Sequence, residues 1–148
     1  MRTLAHRRSL VFAVLLTLGA VGLWQHAERA AARPSYHVPR SAQLESATGV
    51  RFTQAAVVAH GGIVEVRYVV LDAQKASRFQ SDTKHPPRLT GERSHKVSWR
   101  TALMRQGHEL RPGQTYYILY LNNANGIRRG DTLQIDEGRV RLTNVPVR

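Results

Sequence analysis

The sequence contains no cysteine. Disulfide bonds, thiolate metal sites and cysteine nucleophiles are therefore excluded, and a folded domain must be held together by packing alone. Aromatic residues are also few, at 7% of 148 residues. By contrast, β-branched residues, mostly valine, are frequent after Gly49. This composition favours strands over helices.

Acidic side chains are the second shortage. Only 10 Asp and Glu residues stand against 22 Lys and Arg residues, which gives a formal net charge of +12. Such a chain attracts polyanions, among them nucleic acid, anionic lipid and acidic wall polymers. Most of the bases are spaced singly, and no recognition-helix or stacking motif accompanies them. Sequence-specific binding of nucleic acid is therefore not expected.

The motifs of common enzyme classes are absent as well. The chain has no Gly-x-Ser-x-Gly elbow, no His-Glu-x-x-His, no phosphate-binding loop and no paired-carboxylate motif. Its carboxylates are scattered, and we expect Glu65 and Asp136 to point outward from a strand or a turn. The sequence therefore predicts a protein that is not an enzyme and that has neither catalytic residues nor a cofactor.

Residues 1–26 have the pattern of a membrane-targeting segment. Three arginines precede an apolar run from Leu10 to Trp24, which only Thr17 interrupts. A basic flank before such a run predicts a signal peptide or a signal anchor, with the rest of the chain outside the cytoplasm.

Two outcomes are open for this segment. The small residues Ala30, Ala31 and Ala32 would permit cleavage, which would release a secreted or periplasmic protein. The arginines on either side of them favour an uncut, single-pass anchor in the cytoplasmic membrane. Residues 27–48, which contain two prolines, predict a linker with little structure.

Residues 49–148 have the pattern of short strands separated by turns. Gly61-Gly62 predicts a hairpin that pairs Val57 with Val66, and Glu137-Gly138 predicts a second hairpin. Between them, Asp72 is a suitable N-cap for a short helix from Ala73 to Gln80. About seven strands and one short helix predict an all-β, two-layer antiparallel sandwich.

The strongest strand signal runs from Leu110 to Asn122, with a turn at Pro112-Gly113. This stretch resembles the Leu-x-Pro-Gly-Thr-x-Tyr-x-Val start of the sixth strand in fibronectin type III domains. The resemblance implies an immunoglobulin-like sandwich in which Tyr116 forms a tyrosine corner and Leu110 is a buried plug. From Gly113 onward the chain is also similar to small secreted bacterial β-domains of unassigned function.

The loop after this strand is the best candidate for contact with a partner, because loops carry function more often than strands do. The polar and basic residues predicted to contact the partner are Asn123, Asn125, Arg128 and Arg129. The paired arginines suit an anionic partner. We therefore predict an interaction module that binds an unidentified protein or an anionic component of the cell envelope.

Four other side chains suggest a different function. They are His85, His95, Met104 and His108. Imidazole and thioether groups together suit copper, so the alternative prediction is a periplasmic copper-binding or chaperone protein. It requires the four side chains to converge in space, which their spacing in the sequence does not establish.

Overall fold

The computed structural model describes residues 36–107 and 109–148. Tyr36–Arg148 forms one compact unit. The predicted signal segment, the first part of the predicted linker and His108 lie outside the described residues. In the part of the chain that is described, no helix has the length and apolar character needed to cross a membrane.

The described residues form eight strands in two antiparallel sheets, with two short helices. The helices are α1 (Ala42–Thr48) and α2 (Ala73–Ser81), and the strands are β1 (Val50–Val58), β2 (Ile63–Val70), β3 (Arg88–Gly91), β4 (Val97–Ser98), β5 (Thr101–Leu103), β6 (Thr115–Leu121), β7 (Thr132–Glu137) and β8 (Val140–Pro146). The first sheet has the order β1-β2-β6-β5, and the second has the order β4-β3-β7-β8. The prediction of an all-β, sandwich-like domain is confirmed.

The first hairpin has the predicted faces but a different register. Val57 pairs with Val64, and Ala55 pairs with Val66, so the predicted pairing of Val57 with Val66 is wrong. The loop between β1 and β2 spans four residues, 59–62, rather than two. Because the displacement is two residues, the side chains keep their faces, and valines of β2 still point into the core.

A β-bulge in β1 moves an aromatic ring into the core. The register of β1 against β2 shifts between Phe52 and Gln54. Simple alternation assigns Phe52 to the polar face, yet it is only 4% exposed and packs edge-on against Tyr68 and Phe79. The extra residue reverses the alternation beyond it, as bulges do. The aromatic cluster at this end of the core depends on that single insertion.

The second hairpin is displaced in the same way. Asp136 pairs with Arg141, and Ile135 pairs with Leu142, so the turn is centred on Gly138 and Arg139 rather than on Glu137 and Gly138. Gly138 has a φ of 60°, a conformation that glycine adopts without strain. The acid still pairs with a base, because Arg141 lies two residues beyond the predicted partner.

The chain joins the two sheets along both sides. On one side, β4 pairs with β3 and β5 pairs with β6, so the segment from Val97 to Leu103 passes from one sheet to the other. At the other side, the N–H of Arg148 donates to the oxygen of Ala55 at 3.0 Å. Val57 in turn donates to the oxygen of Arg148 at 2.9 Å. The C-terminus thereby covers part of the outer edge of β1.

The prediction of an unstructured linker needs correction for residues 36–48. Leu44 of α1 is buried in the core, and the side chain of Ser41 caps the first turn by accepting from the N–H of Leu44. Gly49 ends the helix with a φ of 73°, the left-handed conformation typical of helix C-termini. One buried leucine and two good caps make this short helix part of the domain, which begins near Tyr36 rather than at Gly49.

The predicted helix after β2 is confirmed. Asp72 accepts a hydrogen bond from the N–H of Lys75 at 3.0 Å, and this bond lowers the pKa of the carboxyl group. Ala76 and Phe79 of α2 are buried in the core between the sheets. The helix therefore covers one end of the sandwich.

The turn before β6 contains the hydrogen bond that the fibronectin resemblance implies. The hydroxyl of Tyr116 accepts a hydrogen bond from the N–H of Arg111 at 3.0 Å. Leu110 is buried, and Gly113 has a φ of 79°. Pro112 is exposed and starts the turn. Along β6, Ile118 and Tyr120 are buried, while Tyr117 is exposed.

Removing the hydroxyl of a core tyrosine should have opposite effects on the free energy of unfolding, depending on whether that hydroxyl has a hydrogen-bond partner. The hydroxyls of Tyr68 and Tyr120 are buried without a hydrogen-bond partner in the described chain. Burial raises the pKa of Tyr68 to about 12 and that of Tyr120 further. We expect Tyr120→Phe to leave the free energy of unfolding unchanged or to raise it by about 1 kcal/mol, because it removes an uncompensated polar group. Tyr116→Phe should lower it by about 1 kcal/mol, since it removes a half-exposed hydrogen bond.

Urea unfolding of both variants, followed by circular dichroism, measures this contrast. A loss of more than about 1 kcal/mol for Tyr120→Phe would mean that its hydroxyl is well satisfied in solution, contrary to this expectation.

Candidate functional site

Three loops meet at the end of the sandwich opposite α2. They are the β1–β2 turn (residues 59–62), the β3–β4 turn (residues 92–96) and the β6–β7 loop (residues 122–131). The hydroxyl of Ser94 donates to the oxygen of Gly126 at 2.5 Å, which joins the second turn to the third loop. The exposed surface that these three segments form is the basic loop surface.

Asn122 fixes the base of this surface. Its amide nitrogen donates to the oxygens of Gly61 at 2.7 Å and Ile127 at 2.8 Å. Its amide oxygen accepts from the N–H of Ile127 at 3.0 Å. Asn122 and Ile127, which these reciprocal hydrogen bonds join, are both buried. The buried amide therefore ties the β6–β7 loop both to itself and to the β1–β2 turn.

Asp131 fixes the other end of the β6–β7 loop. Its backbone oxygen accepts from Val147 at 2.9 Å, and its N–H donates to Arg128 at 3.1 Å. Its carboxylate is mostly buried and lies 3.2 Å from the guanidinium of Arg93. The loop is thereby connected to the C-terminal strand and to the β3–β4 turn.

All four residues that the sequence predicts for partner contact are exposed on this surface. Asn123 and Asn125 lie in a single 3-10 turn, and Arg128 and Arg129 lie in the stretch that follows it. Asn125 lies against the β1–β2 turn, because a Cβ placed on Gly61 would come within 2.7 Å of its side-chain oxygen. The asparagines shape the surface, and the arginines carry its charge.

The structure adds two bases that sequence reasoning did not select. Arg93 and Lys96 are exposed in the β3–β4 turn, about thirty positions before the paired arginines. Lys96 packs against the β6–β7 loop, since a Cβ on Gly126 would lie 2.7 Å from its Cβ. Nothing local in the sequence signals this proximity, because it depends on the antiparallel pairing of β3 with β7.

The acids of this surface are held by other groups. Glu92 accepts hydrogen bonds from the hydroxyl of Thr132 and from the N–H of Asn144. Asp131 is paired with Arg93. The exposed charge that remains is therefore positive. Two buried polar residues, Asn122 and Asp131, hold the loop that carries it in place. Such an arrangement suits binding of an anionic partner rather than proton transfer.

The residues of the copper prediction are distributed over the domain. His85 is exposed before β3 and lies 3.0 Å from the carboxylate of Asp82. His95 is exposed in the turn after β3, so the whole of that strand, about 13 Å long, lies between the two histidines in the chain. Met104 is buried in the core, and His108 lies outside the described residues. Within residues 36–107 and 109–148, no group of three His, Cys, Asp or Glu side chains is placed to hold a metal ion.

Comparisons with protein-family models, with curated proteins and with solved structures find no match to this chain.

Proposed function

We propose that the protein is a non-enzymatic interaction module that works outside the cytoplasmic membrane. Its basic loop surface binds an anionic partner, either an acidic surface of another protein or an anionic envelope component. The extracytoplasmic location, with a single-pass anchor or a cleaved signal, is part of the proposal and is supported by residues 1–26 alone. No catalytic residue or cofactor takes part.

One observation carries this proposal. The β3–β4 turn and the β6–β7 loop place four exposed bases together, and Asn122 and Asp131 fix the loop between them. A surface that is already ordered loses little conformational entropy on binding. Its positive charge accelerates encounters with an acidic partner and disfavours basic ones.

We also propose that the domain has immunoglobulin-like connectivity. The order β1-β2-β6-β5 against β4-β3-β7-β8 supports this, since it corresponds to strands A-B-E-D against C-F-G with β4 added beside the C strand. In immunoglobulin-like domains the tyrosine corner opens strand F, beside C and G. Tyr116 instead opens the strand that lies between β2 and β5. The fibronectin resemblance therefore extends to the turn only.

Photo-crosslinking of the full-length protein in its own cells tests the proposed function. A photoreactive amino acid replaces Asn123, which is exposed and makes no side-chain hydrogen bond within the described residues. We expect one discrete adduct, and its yield should fall about tenfold in an Arg128→Ala/Arg129→Ala variant, because loss of two contact charges costs about 1.4 kcal/mol or more.

A matched pair of substitutions controls for net charge. Arg78 and Arg105 are exposed outside the three loops, so Arg78→Ala/Arg105→Ala removes the same charge elsewhere. This control should keep the adduct. The proposal fails if no adduct forms, or if both double variants lose it equally.

A further inference from the structure

A second surface lies away from the basic loop surface, over the outer face of the second sheet. A groove of about 1030 Å³ runs there between the segment before β3, strand β4 and the β7–β8 turn. Its lining comprises Lys84, His85, Pro86, Arg88, Val97, Trp99, Asp136, Glu137, Gly138 and Arg141. This is the sheet groove.

Two apolar side chains line this groove in contact with solvent. Val97 is 54% exposed and Trp99 is 56% exposed, more than any other large hydrophobic residue in the described chain. They are two positions apart and both line the groove, so they present one continuous apolar strip. Burial of an exposed indole stabilises a complex more than burial of most other side chains, which makes Trp99 the natural contact for a ligand.

Both basic and acidic side chains lie beside this apolar strip. Arg88 pairs with Asp136 in the strand register, and continuing the β3–β4 register by one residue brings Trp99 to the other side of Arg88. The carboxylate of Asp136 accepts from Arg141 and Gln134, each at 2.8 Å. Arg88 has no ion pair or side-chain hydrogen bond within the described residues. It is therefore available to a ligand, whereas Arg141 is already engaged.

The groove is positive near neutral pH. Its lining contains three basic side chains, Lys84, Arg88 and Arg141, and two acidic side chains, Asp136 and Glu137. Burial, with a smaller contribution from the nearby Asp82 carboxylate, raises the pKa of Glu137 to about 7. Glu137 is therefore partly protonated at neutral pH and can donate a hydrogen bond. The groove consequently favours a ligand that carries negative charge.

We propose that the sheet groove binds a carboxylate-bearing glycan, such as a chain of uronic acids or another acidic wall polysaccharide. One sugar ring packs its C–H face on the indole of Trp99, and its carboxylate pairs with the guanidinium of Arg88. Arginine and carboxylate match in geometry and form two parallel hydrogen bonds. Sugar hydroxyls need both donors and acceptors, and the groove supplies both in Lys84 and Asp136.

The sheet geometry argues against a peptide in this position. A peptide that docks on a sheet gains most of its affinity by adding a strand to a free edge. Strands β3 and β7, which form the floor of the groove, each lie between two other strands, and the edge strand β4 that borders it is only two residues long, too short to pair with a peptide strand. The floor of the groove therefore offers side chains only, which suits a glycan.

Isothermal titration calorimetry on the full-length protein, in a detergent buffer that keeps it monodisperse, tests this proposal. The probes are hexagalacturonate, neutral cellohexaose and a hexaglutamate peptide, each at about 0.15 M salt to limit non-specific attraction. We expect hexagalacturonate to bind at least about tenfold more tightly than either other probe. Failure to bind hexagalacturonate at about 1 mM would overturn the proposal.

Substitutions distinguish the contribution of ring stacking to the affinity from the contribution of charge. Trp99→Ala should weaken hexagalacturonate about tenfold or more, and Trp99→Tyr should restore most of the loss, because both rings stack. Arg88→Gln should weaken hexagalacturonate about tenfold and leave cellohexaose unchanged. Arg105→Gln removes the same charge outside both surfaces and should have no effect.

Three results would contradict the glycan site. Equal losses for Arg88→Gln and Arg105→Gln would indicate non-specific charge attraction. Hexaglutamate binding as tight as that of hexagalacturonate would indicate an acidic protein as the ligand. Unchanged binding by Trp99→Ala would remove the stacking contact. None of these results bears on the crosslink at the basic loop surface, so the two proposals fail independently.

Discussion

Replacing Asn122 with alanine is expected to lower the free energy of unfolding by about 3 kcal/mol. The substitution removes three hydrogen bonds in a buried position. It also leaves the backbone groups of Ile127 and the oxygen of Gly61 without their partner. Buried polar groups without a partner cost more than the bonds themselves contribute, so the loss should exceed that of a simple hydrogen-bond deletion.

Asn123→Ala is the matched control, because Asn123 is the next residue in the chain and is exposed. Its free energy of unfolding in urea should stay within about 0.5 kcal/mol of the parent value. If Asn122→Ala proved as mild as this control, Asn122 would not be what fixes the β6–β7 loop. The proposed basic loop surface would then lose its ordered base.

Replacing Gly49 with alanine is expected to cost about 3 kcal/mol or more. Gly49 has a φ of 73°, which strains any residue with a Cβ. An added Cβ would also lie 2.5 Å from the Cβ of Lys75 and 2.8 Å from the oxygen of Asp72. Both atoms are fixed by α2, whose first turn packs directly on the end of α1, so the contact cannot relax cheaply.

Substitutions at two other glycines distinguish the cost of backbone strain from the cost of steric overlap. Gly113 has a φ of 79° with no atom within 4 Å of an added Cβ, so Gly113→Ala should cost about 1 kcal/mol. Gly107 has open space and no positive φ, and Gly107→Ala should change the free energy of unfolding by less than about 0.5 kcal/mol. Thermal and urea unfolding should rank the three variants in this order. A Gly49→Ala loss no larger than that of Gly113→Ala would mean that the α1–α2 junction is not tightly packed.

The hairpins illustrate how much of the fold could be predicted. Alternation in β2 assigned Val64, Val66 and Tyr68 to the core, and all three are buried. The register of both hairpins was displaced by two residues, because a turn signal shows roughly where the chain reverses but fixes neither the length of the loop, as in the first hairpin, nor its exact centre, as in the second. A displacement of two preserves the faces, so the core was predictable although the pairing was not.

The candidate sites were less accessible to sequence reasoning. Arg128 and Arg129 were found because they are adjacent in a loop, whereas Arg93 joins them only through Asp131. Val97 and Trp99 alternate like core residues, yet both lie on the outside of the second sheet. Their apolar character alone gave no indication of this, since a strand has the same period on either face.

By itself, the sequence determined the all-β class, the places where the chain turns, the helix after Asp72 and the buried face of β2. These follow from short-range physics, because turn residues and an alternation of two act within a few positions. Only the tertiary structure decided the bulge beside Phe52, the passage of residues 97–103 between the sheets, and the helix packed through Leu44. It also decided which loops share an end of the sandwich and which apolar side chains face solvent. Those features depend on contacts between residues that are distant in the chain, and no local pattern encodes such contacts.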